Sequence, residues 1–469
     1  MYLFNSLTKQ KEQFLPIDPP NVGLYTCGQT VYDFTHIGHG RKYVNDDILR
    51  RALTYLGYKV THVQNVTDVG HLVSDADEGE DKLEKGARKY GKSVWEVADF
   101  YTKHFYNSLD KLNVLRPNII CKATEHITEQ IWLVKKLIEK GHAYETSSGI
   151  FFSIDSFPEY GQIFGQNLGD KKIGVREEVV IDNEKKNPAD FALWFKTVGR
   201  FKDHVMHWDS PWGEGFPGWH VECSAMSMKY LGETFDIHTG GIDHIPVHHP
   251  NEIAQSEAAT GKKFVNYWLH TAFLTVDGKK MSKSLDNFYK VEDIENKHIN
   301  PLSLRYLYLL THYRKELNFT WEALSAADSA LVKLRNHIKS FKNNKERLEL
   351  SEEKLSKIND YRNQFKKAIE DDLNTPEAIS TAWTVVKSNI PSEDKYDLLL
   401  EFDNILGLNI SFSEEQNIPD EIINLANARK EAKAVKDYEK SDKLREEILQ
   451  KGYEIEDRGE GYQIKKINS

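Results

Sequence analysis

The chain has 469 residues, of which 39% are hydrophobic, 11% aromatic and 29% charged, and a mass of 54.2 kDa. This length exceeds the size at which one hydrophobic core stops growing, so we expect a globular protein of several domains. The formal net charge of -10, from 62 Lys and Arg against 72 Asp and Glu, excludes a general nucleic-acid binder, which needs broad positive potential.

The cysteine content and the hydropathy of the sequence indicate which classes of protein can be excluded. Cys27, Cys121 and Cys223 are too few and too scattered for a disulfide framework, so each is a buried apolar residue, a ligand or a nucleophile. No stretch approaches the ~20 apolar residues that cross a bilayer, and the N-terminus lacks a basic-then-apolar signal pattern. The sequence therefore predicts a cytoplasmic protein without membrane binding.

The first seventy residues predict a strand, a helix and a second strand. The apolar run Val22–Cys27 is typical of a buried strand and stops at Gly28. From His39 to Leu56 apolar side chains recur every four residues, which predicts an amphipathic helix. A second apolar run, Val60–Val66, follows at once. This order indicates the start of a doubly wound parallel sheet in an α/β fold.

Later segments predict four further regions. From about Arg116 to Lys196 a helix leads into short alternating runs with many turn residues, which indicates an inserted α+β domain. Residues 209–274 are typical of the second half of the sheet. After Pro301 long amphipathic stretches predict an α-helical bundle, and residues 453–464 predict a small C-terminal hairpin.

A first candidate motif lies between the first strand and the first helix. His36-Ile37-Gly38-His39 stands where free backbone N–H groups and the helix dipole favour anions. Two imidazoles there can reach a triphosphate, and Gly38 lets the backbone approach a nucleotide closely. Taken alone, the tetrapeptide is equally compatible with two histidines in a turn.

A second candidate motif, Lys280-Met281-Ser282-Lys283-Ser284, follows an apolar run and a Gly-containing link. Its two lysines can close over the leaving phosphates of ATP and stabilise the charge that develops in the transition state. A solvated basic loop is the alternative for the pentapeptide alone. The two motifs together, in this order and at this separation, are much more specific than either one.

With both motifs intact and in order, the chain resembles the class I aminoacyl-tRNA synthetases, and within that class the cysteine-specific family. Three further segments carry this resemblance, which covers essentially the whole chain: residues 25–33 (YTCGQTVYD), residues 217–223 (PGWHVEC) and residues 248–255 (HHPNEIAQ). Pro250, where glutamate is frequent in this family, and Tyr462, where the family often has a Trp-containing ending, depart from the common pattern.

The resemblance implies a zinc site at Cys27, Cys223, His248 and Glu252. His248 and Glu252 are four residues apart and so share one face of a helix, and two distant thiols complete a tetrahedral ligand set. Without the resemblance, two buried cysteines and a surface histidine remain open as an alternative. Cys121 has no comparable companions and is interpreted as a small core residue.

The resemblance also implies the activity: ATP-dependent activation of L-cysteine to cysteinyl-adenylate, then transfer to the 3′ end of tRNA(Cys). The partners are ATP with Mg²⁺, L-cysteine and tRNA(Cys), and the chain is expected to act as a monomer. Catalysis is assigned to His36, His39, Lys280 and Lys283, which together with Gly38 also bind ATP. Substrate binding is assigned to Gly28, Thr67, Trp219 and Asp243.

Two rivals remain at this point: a cysteine ligase of the mycothiol type and a non-catalytic tRNA-binding relic. A tRNA-charging enzyme is favoured over the mycothiol-type ligase by the charged helical region from about Leu324 to Lys451 and by the hairpin after it. The intact motifs and metal ligands argue against a non-catalytic relic. Any RNA contact must use local basic patches. The candidates are Arg41–Lys42, Arg50–Arg51, residues 333–347 and residues 429–451.

The predicted domain bounds follow the motifs and the resemblance. They are a Rossmann-type catalytic core, first half, at 1–115; an inserted acceptor-end domain at 116–200; the second half of the core with the zinc site and the Lys280–Ser284 loop at 201–284; a linking stem-contact region at 285–325; an anticodon-side helical bundle at 326–410; and a small helix-hairpin domain at 411–469. We therefore expect a chain ending near Asn300 to keep cysteine activation but to lose tRNA charging.

Overall fold

The computed structural model describes residues 1–69, 81–165, 184–282, 285–343, 350–411, 419–458 and 461–466. Its internal contacts divide the chain into two compact units, Met1–Asn409 and Ile410–Ser469. Across the described ranges, no helix has both the length and the apolar character needed to span a membrane.

The first 122 residues form an opening hairpin and then alternate strands with helices. In chain order the elements are β1 (Tyr2–Asn5), β2 (Gln10–Gln13), β3 (Asn21–Thr26), α1 (Ile37–Tyr55), β4 (Lys59–Val66), α2 (Lys82–Tyr90), α3 (Val94–Lys111) and β5 (Ile119–Lys122). The strand, helix and strand predicted for the first seventy residues are confirmed as β3, α1 and β4, with ends that differ by one or two residues. Local apolar periodicity is sufficient for these elements because each buries one face or one run.

The next segment contains a second, antiparallel sheet. Its elements are α4 (Ile127–Glu139), β6 (Ala143–Glu145), β7 (Gly149–Phe152), β8 (Phe191–Lys196) and β9 (Gly215–Pro217), with the strands in the order β6-β7-β8-β9. An inserted α+β region is therefore present, as predicted. Two strands depart from the proposed bounds of 116–200. Strand β5 lies inside these bounds but pairs with β4 in the central sheet, and β9 lies outside them but pairs with β8 in the antiparallel sheet. Hydrogen-bonded pairing, rather than position along the chain, decides which sheet a strand joins.

The central sheet is completed by α5 (Trp219–Leu231), β10 (Phe235–Gly241), α6 (His248–Thr260) and β11 (Val265–Thr271). Its five strands are all parallel and lie in the order β11-β10-β3-β4-β5. This confirms the doubly wound parallel sheet. The chain leaves β3 towards β4 on one side, whereas β10 pairs with β3 on the other, so a crevice opens at the carboxyl ends of β3 and β10.

The remainder of the first unit is mainly helical, as predicted. Its elements are β12 (Leu274–Val276), β13 (Lys279–Lys280), α7 (Val291–Asn296), α8 (Pro301–Leu309), β14 (Leu317–Phe319), α9 (Trp321–Asn343), α10 (Glu352–Glu370), α11 (Thr375–Lys387) and α12 (Ser392–Leu406). Strand β12 pairs with β13 in antiparallel fashion and with β14 in parallel fashion. The polypeptide after residue 300 therefore returns to the hairpin that leads into the Lys280–Ser284 motif.

Helix α8 is bonded directly to helix α1. Arg305, fully buried on α8, donates to Asp47 Oδ2 of α1 at 2.6 Å and to the Leu406 carbonyl at 2.7 Å. The Tyr308 hydroxyl donates to the Ile37 carbonyl in the first turn of α1 at 2.6 Å. A buried guanidinium is stable only when its donors are satisfied, so α1 and α8 form one packed structure.

Several basic residues considered as RNA contacts lie inside the protein. Arg41 is fully buried and donates to the carbonyls of Ala272, at 3.0 Å, and Phe273, at 2.6 Å. Lys42 is buried as well and donates to the Cys27 carbonyl at 2.6 Å. The interpretation of Arg41–Lys42 as a tRNA-binding patch is therefore wrong, because helical periodicity cannot distinguish a solvated cation from one that satisfies buried carbonyls.

The other basic residues considered as RNA contacts differ in their exposure and in their partners. Arg51 donates to Asp47 Oδ2 at 2.7 Å, and the buried Arg429 pairs with Asp457 at 2.8 Å, so both have structural partners. Lys333 and Lys339 are exposed on α9. They stay candidates for RNA contact, while residues 344–347 of the same run fall outside the described part of the chain.

The second unit is a small helix-hairpin domain. It contains α13 (Asp420–Ala434), α14 (Tyr438–Gln450), β15 (Tyr453–Arg458) and β16 (Gly461–Lys466), and the two strands are antiparallel. The predicted terminal hairpin is thus confirmed. Its core is a cluster of apolar side chains from all four elements: Ile422, Ala426, Ile448, Ile455 and Ile464.

Candidate active site and metal centre

Four predicted ligands converge at the crevice of the central sheet. Cys27 directly follows β3, Cys223 lies on α5, and His248 and Glu252 lie on successive turns of α6. All four side chains are buried, and one ligand atom from each lies within 4.8 Å of those of the other three. Three segments of the chain therefore deliver two thiols, an imidazole and a carboxylate to one point.

The distances suit a tetrahedral metal site. Cys27 Sγ lies 3.7 Å from His248 Nε2 and 4.0 Å from Glu252 Oε1. Bonds of about 2.0–2.3 Å to zinc would separate neighbouring ligand atoms by roughly 3.3–3.8 Å. His248 Nε2 and Glu252 Oε1 lie closer together, at 2.8 Å, and form an ion pair. Two thiols with one imidazole are the soft and borderline donors that zinc prefers.

A second possible set shares two of these ligands. Cys27, His238, His249 and Glu252 also bring one ligand atom each within 4.8 Å of the others. This set contains only one thiol, whereas the set with Cys223 contains two. The set with Cys223 is therefore the better zinc site.

Buried histidines around the cluster were not predicted. His238 Nε2 contacts Glu252 Oε2 at 2.9 Å, and His220 Nδ1 contacts His248 Nδ1 at 2.9 Å. These contacts orient two of the predicted ligands, as the outer partners of metal ligands commonly do. His220 is next to Trp219 in a motif already singled out, but His238 lies within a strand, where no spacing signal points to the site.

Burial and the neighbouring ligands set the pKa values of the cluster. Burial raises the pKa of the Cys27 thiol, and a hydrogen bond with Cys27 together with burial raises the pKa of the Cys223 thiol. Burial also opposes ionisation of Glu252, but the imidazoles of His238 and His248 outweigh it and hold the carboxyl pKa below its ordinary value. The pKa of His248 is raised to about 10, because Glu252 and a hydrogen bond with Cys223 outweigh burial. A metal ion would supply the positive charge that the thiols need to ionise.

His36 and His39 form a reciprocal cap at the start of α1. The His39 backbone N–H donates to His36 Nδ1 at 3.2 Å, the His36 N–H approaches His39 Nδ1 at 3.5 Å, and the rings stack at 3.6 Å. Burial lowers the pKa of His36 to about 4 and also lowers the pKa of His39. Both rings are therefore neutral near pH 7 and, because each Nδ1 accepts, each Nε2 carries the proton and can donate to a phosphate oxygen.

Gly38 of the histidine motif lies close to Met281 of the lysine motif. A side chain at Gly38 would come within 2.9 Å of the His36 ring and within 3.7 Å of Met281 Cε. Met281, in the described part of the lysine motif, therefore lies against the histidine motif. Lys280 is exposed in β13, whereas Lys283 and Ser284 lie outside the described residues.

The four proposed substrate residues have different surroundings. Gly28 is required by packing, because a Cβ there would lie 1.7 Å from the Asn65 carbonyl oxygen. Thr67 is buried and donates to Glu222 Oε2 at 3.3 Å. The Trp219 ring centroid lies 5.1 Å from that of His248, beside the metal ligands. Burial lowers the pKa of His36, and the Asp243 carboxylate lies near enough to that ring to oppose the shift.

Comparison with known proteins decides the family. The family described as tRNA synthetases class I (C) catalytic domain matches residues 13–329. Cysteine–tRNA ligase from Treponema denticola is 46% identical over 97% of this chain and 97% of its own, and that from Chlorobaculum tepidum is 43% identical over 98% of each. The chain belongs to the cysteine–tRNA ligase family.

Solved structures support the fold of this cysteine–tRNA ligase. Agrobacterium radiobacter LeuRS in a ternary complex with tRNA and LeuAMS superposes with a TM-score of 0.60 at 12% identity, over 84% of each chain. Mycobacterium tuberculosis methionyl-tRNA synthetase gives a TM-score of 0.57 at 14% identity, over 83% of this chain and 90% of its own. Because the cysteine–tRNA ligase relatives match along nearly the whole length, including the helical C-terminal region, tRNA charging is favoured over both rival functions.

Proposed function

We propose that this ligase converts L-cysteine and ATP to cysteinyl-adenylate and then transfers cysteine to the 3′ end of tRNA(Cys), and that Cys27, Cys223, His248 and Glu252 hold a zinc ion that recognises the substrate sulfur. The observation that carries this proposal is the convergence of the four ligand atoms within 4.8 Å, in a fold whose helix α1 begins at the reciprocal cap of His36 and His39.

The chain's own residues suit the first step. In that step a carboxylate oxygen of cysteine attacks the α-phosphate of ATP and pyrophosphate leaves. His36 and His39 would donate through Nε2 to phosphate oxygens at the N-terminus of α1, and Lys280 and Lys283 would neutralise charge on the pyrophosphate. Mg²⁺ would accompany ATP. In the second step a terminal ribose hydroxyl of tRNA attacks the acyl carbonyl and AMP leaves.

Selection of cysteine over serine needs more than shape. An apolar pocket discriminates small steric differences by only about 1–3 kcal/mol. Bound zinc would supply a soft Lewis acid that prefers a thiol to an alcohol. Trp219, beside His248, would form one wall of the pocket, and Asp243 would hold the substrate amino group.

A zinc ion with four protein ligands has no open position, so on binding cysteine it must either expand to five ligands or release a weakly held one. Glu252 is suited to this role. Its Oε2 contacts His238 at 2.9 Å and its Oε1 contacts His248 at 2.8 Å. The His238 imidazole, which is outside the ligand set, would stabilise the carboxylate when it is detached from the metal, while His248 Nε2 would stay bound to zinc.

We therefore expect X-ray absorption at the zinc edge to show one additional sulfur neighbour when cysteine is added to the zinc-loaded protein, and no change with serine. Glu252→Gln serves as a comparison, because a neutral amide is a weaker ligand for zinc. A sulfur count that stays constant in the presence of saturating cysteine would make the zinc structural and assign selectivity to other residues.

Replacing Lys283 with alanine should slow adenylate formation on the order of 100-fold, because its charge is proposed to act mainly in the transition state. The KM for cysteine should change little. The single-turnover rate of adenylate formation measures the first quantity, and steady-state ATP–pyrophosphate exchange at varied cysteine concentration measures the second. Lys279→Ala is the matched control, since Lys279 is exposed in the same hairpin but outside the motif. Equal rates for the Lys283 variant and wild type would remove this role.

A further inference from the structure

One buried amide spans the described part of the Lys280–Ser284 motif. The Ser282 backbone N–H donates to Asn287 Oδ1 at 2.8 Å, and Asn287 Nδ2 donates to the Lys280 carbonyl at 3.2 Å. The Asn287 side chain is buried. A single side chain thus satisfies one donor and one acceptor of the motif's backbone, which only an amide can do in this geometry.

The chain around Asn287 folds back onto the motif. Leu285 N–H donates to the Ser282 carbonyl at 3.2 Å, and Asp286 has a φ of +52°, in the left-handed region. Such a conformation is unfavourable for a residue with a Cβ and persists only where surrounding contacts fix it. The two Asn287 hydrogen bonds provide such contacts.

The residues after Asn287 are attached to the histidine motif. The Phe288 ring lies edge-on to the His36 ring, with the centroids 5.1 Å apart. The Tyr289 carbonyl accepts from the Ile37 N–H at 2.9 Å. Asn287 therefore joins the backbone of Lys280–Ser282 to a segment that is itself bonded to the first turn of α1.

We infer that Asn287 is a positioning residue, which fixes the backbone of Lys280–Ser282 relative to His36 and so aligns the two motifs for adenylate formation. This inference rests on the proposed function. It assigns to Asn287 no contact with ATP or cysteine. Because pyrophosphate has already left when tRNA reacts, the alignment should matter for the first step and not for the second.

The test uses the full-length zinc-loaded enzyme with Asn287→Ala and Asn287→Asp. Alanine removes both hydrogen bonds. Aspartate keeps the shape and the acceptor for Ser282, but it places an oxygen against the Lys280 carbonyl. Asn318→Ala is the matched control. Asn318 Oδ1 accepts from the Gly278 N–H at 2.7 Å, in the turn between β12 and β13. Within the described part of the chain, Asn318 makes no hydrogen bond to residues 280–282.

Both Asn287 variants should lower kcat for cysteine-dependent ATP–pyrophosphate exchange on the order of 10- to 100-fold, as expected for misplaced catalytic groups. The KM for cysteine, and the single-turnover transfer from preformed cysteinyl-adenylate to tRNA, should stay within about two-fold. The Asn318 variant should resemble wild type in all three measurements.

An unchanged exchange rate in the alanine variant would overturn the inference. An equal fall in exchange and transfer, or a parallel fall in the Asn318 variant, would do the same, because either result indicates general destabilisation of the hairpin. Failure of the proposed function is a distinct result, since wild-type enzyme would then show no cysteine-dependent exchange.

Discussion

Replacing Cys223 with serine is expected to remove zinc from the purified enzyme and to reduce cysteine-dependent ATP–pyrophosphate exchange by about 100-fold or more. Changes to the outer partners of metal ligands already cost about 10- to 100-fold in affinity or activity, and the loss of a thiolate ligand should cost more. The Cys223 side chain is buried, and its ligand atom lies within 4.8 Å of the other three. No solvent-exposed group can therefore take its place as a ligand.

Cys121→Ser is the matched control for this prediction. Cys121 is also fully buried, but it lies on β5, and its Sγ donates to the Gln64 carbonyl at 3.5 Å, a bond that a hydroxyl can retain. Metal content by mass spectrometry, thermal unfolding and exchange activity should be measured for both variants. A Cys223 variant that retains one zinc per chain and normal exchange would contradict the proposed ligand set.

The second large effect is expected from shortening the chain. A protein ending at Asn409 should keep ATP–pyrophosphate exchange within about three-fold of the full-length enzyme but lose about ten-fold or more in tRNA charging, because RNA affinity depends on contacts from lysine and arginine to phosphates. The removed unit contains exposed Lys436, Lys440 and Arg445 on or beside α14. Normal charging by the shortened enzyme would contradict a role for this unit in tRNA binding.

A protein ending near Asn300, in contrast, should lose both activities by failing to fold. Such a chain lacks Arg305, which bonds to Asp47, and Tyr308, which bonds to Ile37. Asp47 would keep Arg51 but lose the Arg305 guanidinium, and the surface of α1 that α8 and α12 cover would be exposed to water. This replaces the expectation, drawn from the sequence, that a chain ending near Asn300 keeps cysteine activation. Circular dichroism and gel filtration of the two shortened proteins would separate loss of fold from loss of tRNA binding.

The protein ending at Asn409 also tests the oligomeric state. If the enzyme is a monomer, as proposed, its particle mass should fall on truncation only by the mass of the residues removed. Light scattering measures this directly. A dimer that depends on the second unit would appear as a halving of the particle mass after truncation.

Local sequence determined much of this protein. Apolar periodicity was sufficient for β3, α1 and β4, because each element buries a face that its own residues define. The histidine and lysine motifs were visible for the same reason, since each is a short contiguous segment. The zinc ligands were different: only the pair His248 and Glu252 has a local signal, and the two cysteines joined them through the family resemblance.

Tertiary structure alone decided the rest. Arg41 was a candidate RNA contact and Arg305 stands within an apolar run, yet both are buried, because the backbone carbonyls and the carboxylate that accept their donors come from distant segments. His238 contacts Glu252 only because the chain after β10 brings α6 back against that strand, and Asn287 becomes a bridge only when its segment folds back on the lysine motif. Hydrogen-bond partners of buried polar groups are set by which segments the crossovers of a parallel sheet bring together, and a residue's neighbours along the chain carry no record of that choice.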